Sequence, residues 1–388
     1  MGYIIGINAS RAKSGGAKSH LIGVLNEVKP ELYGIKEIHV WSYDTLLDLL
    51  PNKIWLVKHS VQKKGTSIFK ELLWERYTLS KELKAKKCSI LLNIDAGTVC
   101  DFSPAVTMSR DMLSYEPGEL KRYGFSYLGL RLLLLRYVQN RSLSRANGVI
   151  FLTKYASEVI QKSCGKLKNI AIIPHGIGDN FKLNHSRIWP IEKGSQIKCL
   201  YVSPIWLFKH QWTVVKAIEH LRGEGFNLDL YLIGSNTTKD AMKLLESQLM
   251  ISDPEMKYVT LTGEVEHAML TEYYKHCDIF IFASSCENMP NTLIEAMGAG
   301  LPIACSDRGP MPEILKDGGI FFNPEDKESL ILAIREIINN FNLREKIAIR
   351  GKELSEQYSW SRCADETFKF IAANHMSNDI KKTIFKLQ

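Results

Sequence analysis

Two glutamates stand eight residues apart in Ser284-Ser285-Cys286-Glu287-Asn288-Met289-Pro290-Asn291-Thr292-Leu293-Ile294-Glu295, a segment that runs on to Gly300. The apolar run Ile279–Ala283 before them reads as a strand, which places Glu287 in the loop at its carboxyl end. Asn291 is a good N-cap residue and predicts a helix starting there, with Glu295 just over one turn in and Gly300 ending it. Such a helix start offers free amides and a positive dipole end, which suit a diphosphate. A loop carboxylate can accept hydrogen bonds from sugar hydroxyls, and a second, one turn deeper, can hold a ribose diol. On spacing alone the plainer alternative is ahead, with Glu295 on a helix surface and Glu287 a solvated loop charge.

The elements that must position these residues alternate. The chain opens with an apolar strand at Tyr3–Ile7, a polar glycine turn at Ser14-Gly15-Gly16-Ala17, and an amphipathic run carrying Leu21, Val24, Leu25 and Val28. Further strands are predicted at Ile38–Trp41, Ile54–Val57, Ile90–Ile94, Gly148–Leu152 and Ile170–Ile173, with helices at Thr66–Leu83 and Gly118–Ser144. Lys182–Lys198 lacks periodicity and reads as a linker. A second series follows, with strands at Lys198–Val202, Leu228–Ile233, Tyr258–Leu261, Ile279–Ala283 and Pro302–Cys305. Its helices are Trp212–Leu221, Asp240–Met250, His267–His276, Thr292–Ala299, Lys327–Asn340 and Leu343–Gln357. Alternation of this kind implies α/β architecture with parallel sheets: two Rossmann-like domains facing across a cleft, with ligands outside the carboxyl ends of the strands.

Composition bounds the rest. A chain of 388 residues suggests two or three domains, and 45% apolar with 24% charged residues is ordinary for a globular protein, which excludes disordered, collagen-like and coiled-coil classes. The start has no signal-peptide pattern, and Tyr127–Val138, with two arginines, is too short to span a bilayer. The eight cysteines form no C-x-x-C and no zinc spacing, so free thiols in a reducing cytosol are expected, with no structural metal. Net charge is +8, but up to His185 there are 27 lysines and arginines against 15 acidic residues. That asymmetry points either to an anionic partner, nucleic acid or an anionic membrane surface, or to a merely solvated basic face. The stripe Leu128–Val138 could dock on a membrane, but its mixed face favours a buried helix of an α/β layer. Asp95-Ala96-Gly97 could line a binding site or be a plain turn. His20, on the helix after the glycine turn, reads as a core or surface residue.

The wider sequence changes the weighting at the two glutamates. Glu287 through Pro302 resembles the E-x7-E segment of glycosyltransferase family 4. Cys305–Ile314, Asp317–Asp326, Gly15-Gly16-Ala17, Ile173-Pro174-His175-Gly176-Ile177 and Lys209-His210-Gln211 continue the likeness. The resemblance implies a GT-B fold and retaining transfer from a nucleotide sugar. It implies an N-terminal acceptor domain, 1–185, completed by a C-terminal helix at about 362–388, and a donor domain at 186–361. By that resemblance Glu287 lies near the donor sugar, Glu295 binds the ribose, Lys209 neutralises the diphosphate and Gly16 lets backbone approach the donor. Asn288, Met289, Pro290, Asn291 and Thr292 complete the donor-binding loop. Ser203 stands where the family often has an arginine, so Arg308, after the strand Pro302–Cys305, is a candidate second cation. Where many members have a His-Asp pair, this chain has Ser109-Arg110-Asp111, which makes Arg110 a candidate catalytic residue. Val106–Glu116 and Arg122-Tyr123-Gly124 are similar to members that build bacterial surface polysaccharides such as lipopolysaccharide O-antigen.

The sequence therefore predicts a retaining hexosyltransferase using a UDP- or GDP-sugar and a lipid-linked glycan acceptor. No D-x-D occurs, so no metal or other cofactor is expected. The expected location is cytoplasmic, with peripheral contact at the inner face of the cell membrane, and no nucleic-acid partner. The rivals are a sugar-nucleotide epimerase on the same fold and a non-catalytic nucleotide- or nucleic-acid-binding protein.

Overall fold

A computed structural model describes residues 2–12, 15–61, 68–183, 189 and 194–387. The chain forms two compact units, Met1–Gly176 with Ser359–Gln388, and Ile177–Tyr358.

The first unit holds seven strands: β1 (Tyr3–Asn8), β2 (Ile35–Ser42), β3 (Leu56–Ser60), β4 (Ile90–Asn93), β5 (Ala105–Ser109), β6 (Gly148–Phe151) and β7 (Ile170–Ile172). They form one parallel sheet in the order 3-2-1-4-5-6-7. The central strands β4, β5 and β6 are buried along their whole length, as expected of strands covered on both faces. The strand order reverses between β1 and β4, so the chain leaves these neighbours in opposite directions and opens a crevice at their carboxyl ends. The helix Trp360–Leu387 belongs to this unit. Trp360 packs so tightly on Gly23 that a Cβ there would lie 2.2 Å from its ring. Tyr33 Oη donates to Asp365 Oδ1 (2.7 Å), and Asn169 Nδ2 to Asn374 Oδ1 (2.7 Å).

The second unit holds β8 (Ile197–Val202), β9 (Leu228–Ile233), β10 (Val259–Gly263), β11 (Ile279–Phe282), β12 (Ile303–Ser306) and β13 (Ile320–Phe322). Its parallel sheet runs 10-9-8-11-12-13, with the reversal between β8 and β11. The two-unit α/β fold is the one expected.

Several local expectations differ. Gly15 and Gly16 already lie in the helix Gly15–Glu27 rather than in a turn, and Ser14 is outside the described residues. The strand expected at Ile54 begins at Leu56, leaving Ile54 fully exposed ahead of the sheet. Of the helix expected at Thr66–Leu83, residues 66–67 are outside the described residues. The rest is helical from Ile68 to Ala85 with a π turn over Trp74–Leu79. Gly118–Ser144 is two helices, Glu119–Tyr123 and Tyr127–Arg145, broken at Gly124 (φ +49°). Strand β5 was not expected as a strand. Of the expected linker, 184–188 and 190–193 lie outside the described residues, and Trp189 stacks under the Arg344 guanidinium at 3.7 Å.

The helix Tyr127–Arg145 is not a buried layer helix. Gly129, Leu132, Gln139 and Leu143 face inward, whereas Tyr127, Leu130, Leu133, Leu134 and Tyr137 are exposed. No described helix is long and apolar enough to cross a membrane. All eight cysteines are free thiols, most of them buried.

Gly234, at the end of β9, has φ +151°, and a Cβ there would lie 2.1 Å from the Ser203 carbonyl oxygen. Gly234→Ala therefore forces the loop after β8 to move. It should lower stability by about 1–3 kcal/mol, the usual effect of overpacking, read as a lower urea midpoint. An unchanged midpoint would show that this loop yields freely.

Candidate functional site

The candidate site of the second unit is built at its strand reversal. The loop after β8 carries Ser203 to Lys209, and the loop after β11 carries Ala283 to Pro290. The two are tied together by the Ser285 amide, which donates to the Phe208 carbonyl (2.8 Å), and by His210 Nε2 at 3.0 Å from Ser285 Oγ. His210 adopts a left-handed conformation (φ +51°) that side chains other than glycine seldom take, and it turns the chain directly into the helix Gln211–Gly223. Tyr201 Oη donates to the Lys209 carbonyl (2.7 Å), which fixes this turn from below.

Lys209 and Glu287 form an ion pair, Nζ to Oε1, although 78 residues separate them. Both side chains are largely buried, and Lys209 Nζ lies 5.4 Å from the ring centres of Phe208 and Phe282. An ammonium held among rings and one carboxylate is a fixed cation with little water around it, the environment in which it acts most strongly on developing negative charge. Ser203 Oγ accepts a hydrogen bond from Gln211 Nε2 (2.9 Å), and the same amide donates to the Pro204 carbonyl (3.0 Å). A carbonyl can only accept, so the amide orientation is set and Gln211 Oε1 points away, buried and without a hydrogen bond. Ser203 and Gln211 line an apolar cavity of about 160 Å³ with Gly234, Asn236 and Gly263, at the carboxyl ends of β8, β9 and β10.

The helix Asn291–Gly298 starts after Pro290, not with Asn291 as its cap. Asn291 is the first helical residue and its Oδ1 is buried without a hydrogen bond. No side chain caps this helix start. Proline at the cap position has φ −82° and no capping side chain, its carbonyl takes the Leu293 amide (3.2 Å), and the amides of Asn291 and Thr292 before it have no cap. Asn288, Met289 and Pro290 are buried, and Thr292 accepts a hydrogen bond from Tyr274 Oη at its carbonyl (3.2 Å). The helix does end as expected, with Gly300 left-handed (φ +66°) and its amide on the Met297 carbonyl.

Glu295 is buried, not a helix-surface residue. Its Oε1 lies 2.9 Å from His267 Nε2, and its Oε2 accepts from Tyr274 Oη (3.1 Å). A carboxylate has about four lone-pair sites, so two remain for a diol. Tyr274 is fully buried, and burial together with the Glu295 charge holds its hydroxyl well above the usual phenol range. His267 and Tyr274 were not singled out from sequence. They lie 28 and 21 residues from Glu295 and no local pattern marks them. Arg308 stands on the loop after β12, where its guanidinium bonds Asn323 Oδ1 (3.1 Å) and Asp307 Oδ1 (3.3 Å) and is half exposed.

In the first unit, Gly16 lies in the first turn of its helix, and Arg110 follows the carboxyl end of β5. His20 is in the core, its Nδ1 2.9 Å from Nδ1 of His175.

Residues 187–354 match the family model of Glycosyl transferases group 1. An uncharacterised glycosyltransferase, MJ1607 of Methanocaldococcus jannaschii, is 30% identical over 170 residues, 42% of this chain and 43% of that protein. The O-antigen chain mannosyltransferase B of Escherichia coli is 27% identical over 28% of this chain and 29% of its own. An uncharacterised glycosyltransferase of Haemophilus influenzae is 23% identical over 91% of this chain and 95% of its own. The matches to the first two span less than half of those relatives. Among solved structures, sucrose-phosphate synthase from Thermosynechococcus elongatus superposes with a TM-score of 0.73 at 16% identity, covering both chains completely. Anabaena Alr3699/HepE in complex with UDP and glucose superposes with 0.71 at 18% identity, over 96% of this chain and all of that one. The family-model match falls within the second unit, and the fold is that of GT-B glycosyltransferases.

The His267–Glu295 contact has a sign in pH. The hydrogen bond to Glu295 raises the His267 pKa above its ordinary value near 6.5. A raised folded-state pKa means that the contact's contribution is fully present below the unfolded value and is lost as pH rises through the folded one. His267 is more than half exposed, so the contribution is that of a surface pair, about 0.2–1 kcal/mol. His267→Ala should lower stability by that amount at pH 5.5 and by almost nothing at pH 9, by urea unfolding. An equal loss at both pH values would remove the ionic reading.

Proposed function

We propose that this chain is a retaining, metal-independent hexosyltransferase that takes a sugar from a UDP- or GDP-linked donor and places it on a lipid-linked glycan in surface polysaccharide biosynthesis. The observation that carries the reading is the meeting, at one strand reversal, of the Lys209–Glu287 pair with an uncapped helix start. Lys209 and the first helix amides neutralise the diphosphate, and Glu287 accepts hydrogen bonds from the donor sugar. Glu295 holds the ribose diol through its two remaining lone-pair sites, with its carboxylate oriented by Tyr274. The nucleobase fits the apolar cavity lined by Ser203 and Gln211. In the reaction the acceptor oxygen forms a bond to the anomeric carbon on the face from which the diphosphate leaves. The carbon–oxygen bond to the diphosphate breaks, and the acceptor proton passes to the departing phosphate oxygen. The solved relative holding UDP and glucose supports the donor class, and the O-antigen mannosyltransferase supports the acceptor class.

Thermal shift against UDP- and GDP-sugars tests the donor, since a ligand at 100 times its dissociation constant adds about 2.7 kcal/mol of stability. Glu295→Ala should weaken nucleotide binding tenfold or more, the loss of a charge-assisted hydrogen bond of about 1.5–3 kcal/mol. Lys209→Ala should slow transfer by about 10²–10³. Transfer should persist in excess EDTA. Full Lys209→Ala activity, or loss in EDTA restored by manganese, would overturn this site. Donor turnover without an acceptor would instead indicate an epimerase.

The exposed face of the helix Tyr127–Arg145 supports a peripheral membrane contact. Its outward leucines and tyrosines lie among Arg131, Arg136, Arg141 and Arg145, the combination that suits an interface with anionic headgroups. The chain should co-sediment with vesicles containing phosphatidylglycerol, less so in high salt, and Leu133→Glu with Leu134→Glu should abolish binding. Equal binding to neutral vesicles would count against it.

A further inference from the structure

The first unit has its own crevice at its own strand reversal. A cavity of about 430 Å³ opens at the carboxyl ends of β1, β4 and β5, and its charged walls are Arg11, Glu71, Asp95, Arg110, Asp111 and Arg131. That volume is in the range of small-ligand pockets.

Most of these charges are already engaged. Arg11 binds Glu75 through Nε (3.3 Å) and Nη2 (3.2 Å). Glu75, buried in the π turn, also accepts from Asn8 Nδ2 (2.7 Å) and Thr98 Oγ1 (2.6 Å), a closed network beside the cavity. Asp95 Oδ1 accepts from the Gly97 amide (2.6 Å). Asp111 accepts from the Leu113 amide (3.0 Å) and from Gln139 Nε2 (3.3 Å). Arg131 is solvent-exposed.

Arg110 is the exception. Its Nε and Nη1 are buried and make no hydrogen bond, and the Asp95 carboxylate acts on it only through space, with no ion pair in contact among the described residues. Burial lowers its pKa only to about 10, so it stays a cation at neutral pH. The neighbouring His20–His175 pair adds no second positive charge, because burial and the field of Arg110 hold both imidazoles neutral. Two buried guanidinium donors without acceptors are costly to keep. A hydroxyl would satisfy one donor. An anionic oxygen pair would satisfy two and restore the charge, since bidentate contacts are the strongest that a guanidinium makes.

We propose that this cavity binds a sugar bearing an anionic group, a carboxylate or a phosphate, with Arg110 as its counter-ion. On the transferase reading, on which this naming of the role rests, the group belongs to the acceptor glycan.

The test uses the full chain and three probes: methyl glucuronide, glucose 1-phosphate and the neutral methyl glucoside, titrated by calorimetry at low salt. At least one anionic probe should bind wild type and lose tenfold or more in Arg110→Met, with Arg110→Lys intermediate and the glucoside indifferent. Loss for the glucuronide alone names a uronic acid, and loss for the phosphate alone names a sugar phosphate. Removing two buried donors that have no acceptor should also raise the thermal midpoint of Arg110→Met by about 2–4 °C. An arginine that only supports the fold would lower it. Equal affinity of the anions for wild type and Arg110→Met, no anionic binding at all, or a lowered midpoint would each overturn the proposal. UDP and GDP binding is scored separately. Its absence with anion binding intact would strike the transferase reading and leave this cavity standing.

Discussion

Everything at the candidate site depends on the reversal of strand order in a parallel sheet. A parallel strand must be reached by a crossover, and crossovers on opposite faces of the sheet leave two adjacent strands whose loops diverge. In the second unit those strands are β8 and β11, which is why Lys209 and Glu287 meet although the chain between them contains two further strands. Neither residue could be placed by its own element. The contact exists because the sheet brings two carboxyl ends side by side and the Ser285 amide and His210 then join the loops. The same reversal in the first unit, between β1 and β4, places Arg11 and Asp95 around one cavity.

The two sites differ in how charge is managed. Lys209 is compensated by Glu287 within the protein, so on the proposed reading a diphosphate would compete with a carboxylate for it. That suits a cation that has to act as charge develops on a leaving group rather than simply hold a ground-state ligand. Arg110 keeps two buried donors without an acceptor and has Asp95 only as a through-space partner, a cost in stability that is the pattern expected where folding and binding make opposing demands on one residue. Glu295 is a third case, a buried carboxylate oriented by a tyrosine and shielded by an exposed histidine, with acceptor capacity to spare.

Much of this was legible in the sequence. Leu228–Ile233 is a strand with those bounds, its buried leucines alternating with the partly exposed Asp229 and Tyr231 before the buried Leu232 and Ile233. Glu287 in a loop and Glu295 in a helix followed from one strand and one terminal glycine. Strand β5 escaped because Ala105–Ser109 carries Thr107 and Ser109 at buried positions, where Asn93 Nδ2 donates to Thr107 Oγ1 (3.3 Å) and a polar residue looks like loop. The helix start was displaced because Pro290, a residue with no capping side chain, sits where Asn291 was expected. The partners of Glu295 and the exposure of the Tyr127–Arg145 helix depend on which elements pack together, and tertiary contact leaves no periodicity to read.

The helix Trp360–Leu387 has a consequence for how the protein is made. The first unit comprises residues up to Gly176 together with the segment from Ser359 onward, while the second unit is one continuous stretch between them. Synthesis runs from the amino end, and domains usually complete themselves in that order. Here the order inverts. The second unit has its whole sequence in hand while the first still lacks the Trp360 side chain that packs on Gly23 and the Asp365 and Asn374 partners of Tyr33 and Asn169. The unit begun first is finished last, and until the segment from Ser359 onward has been made its surface for that helix stays uncovered.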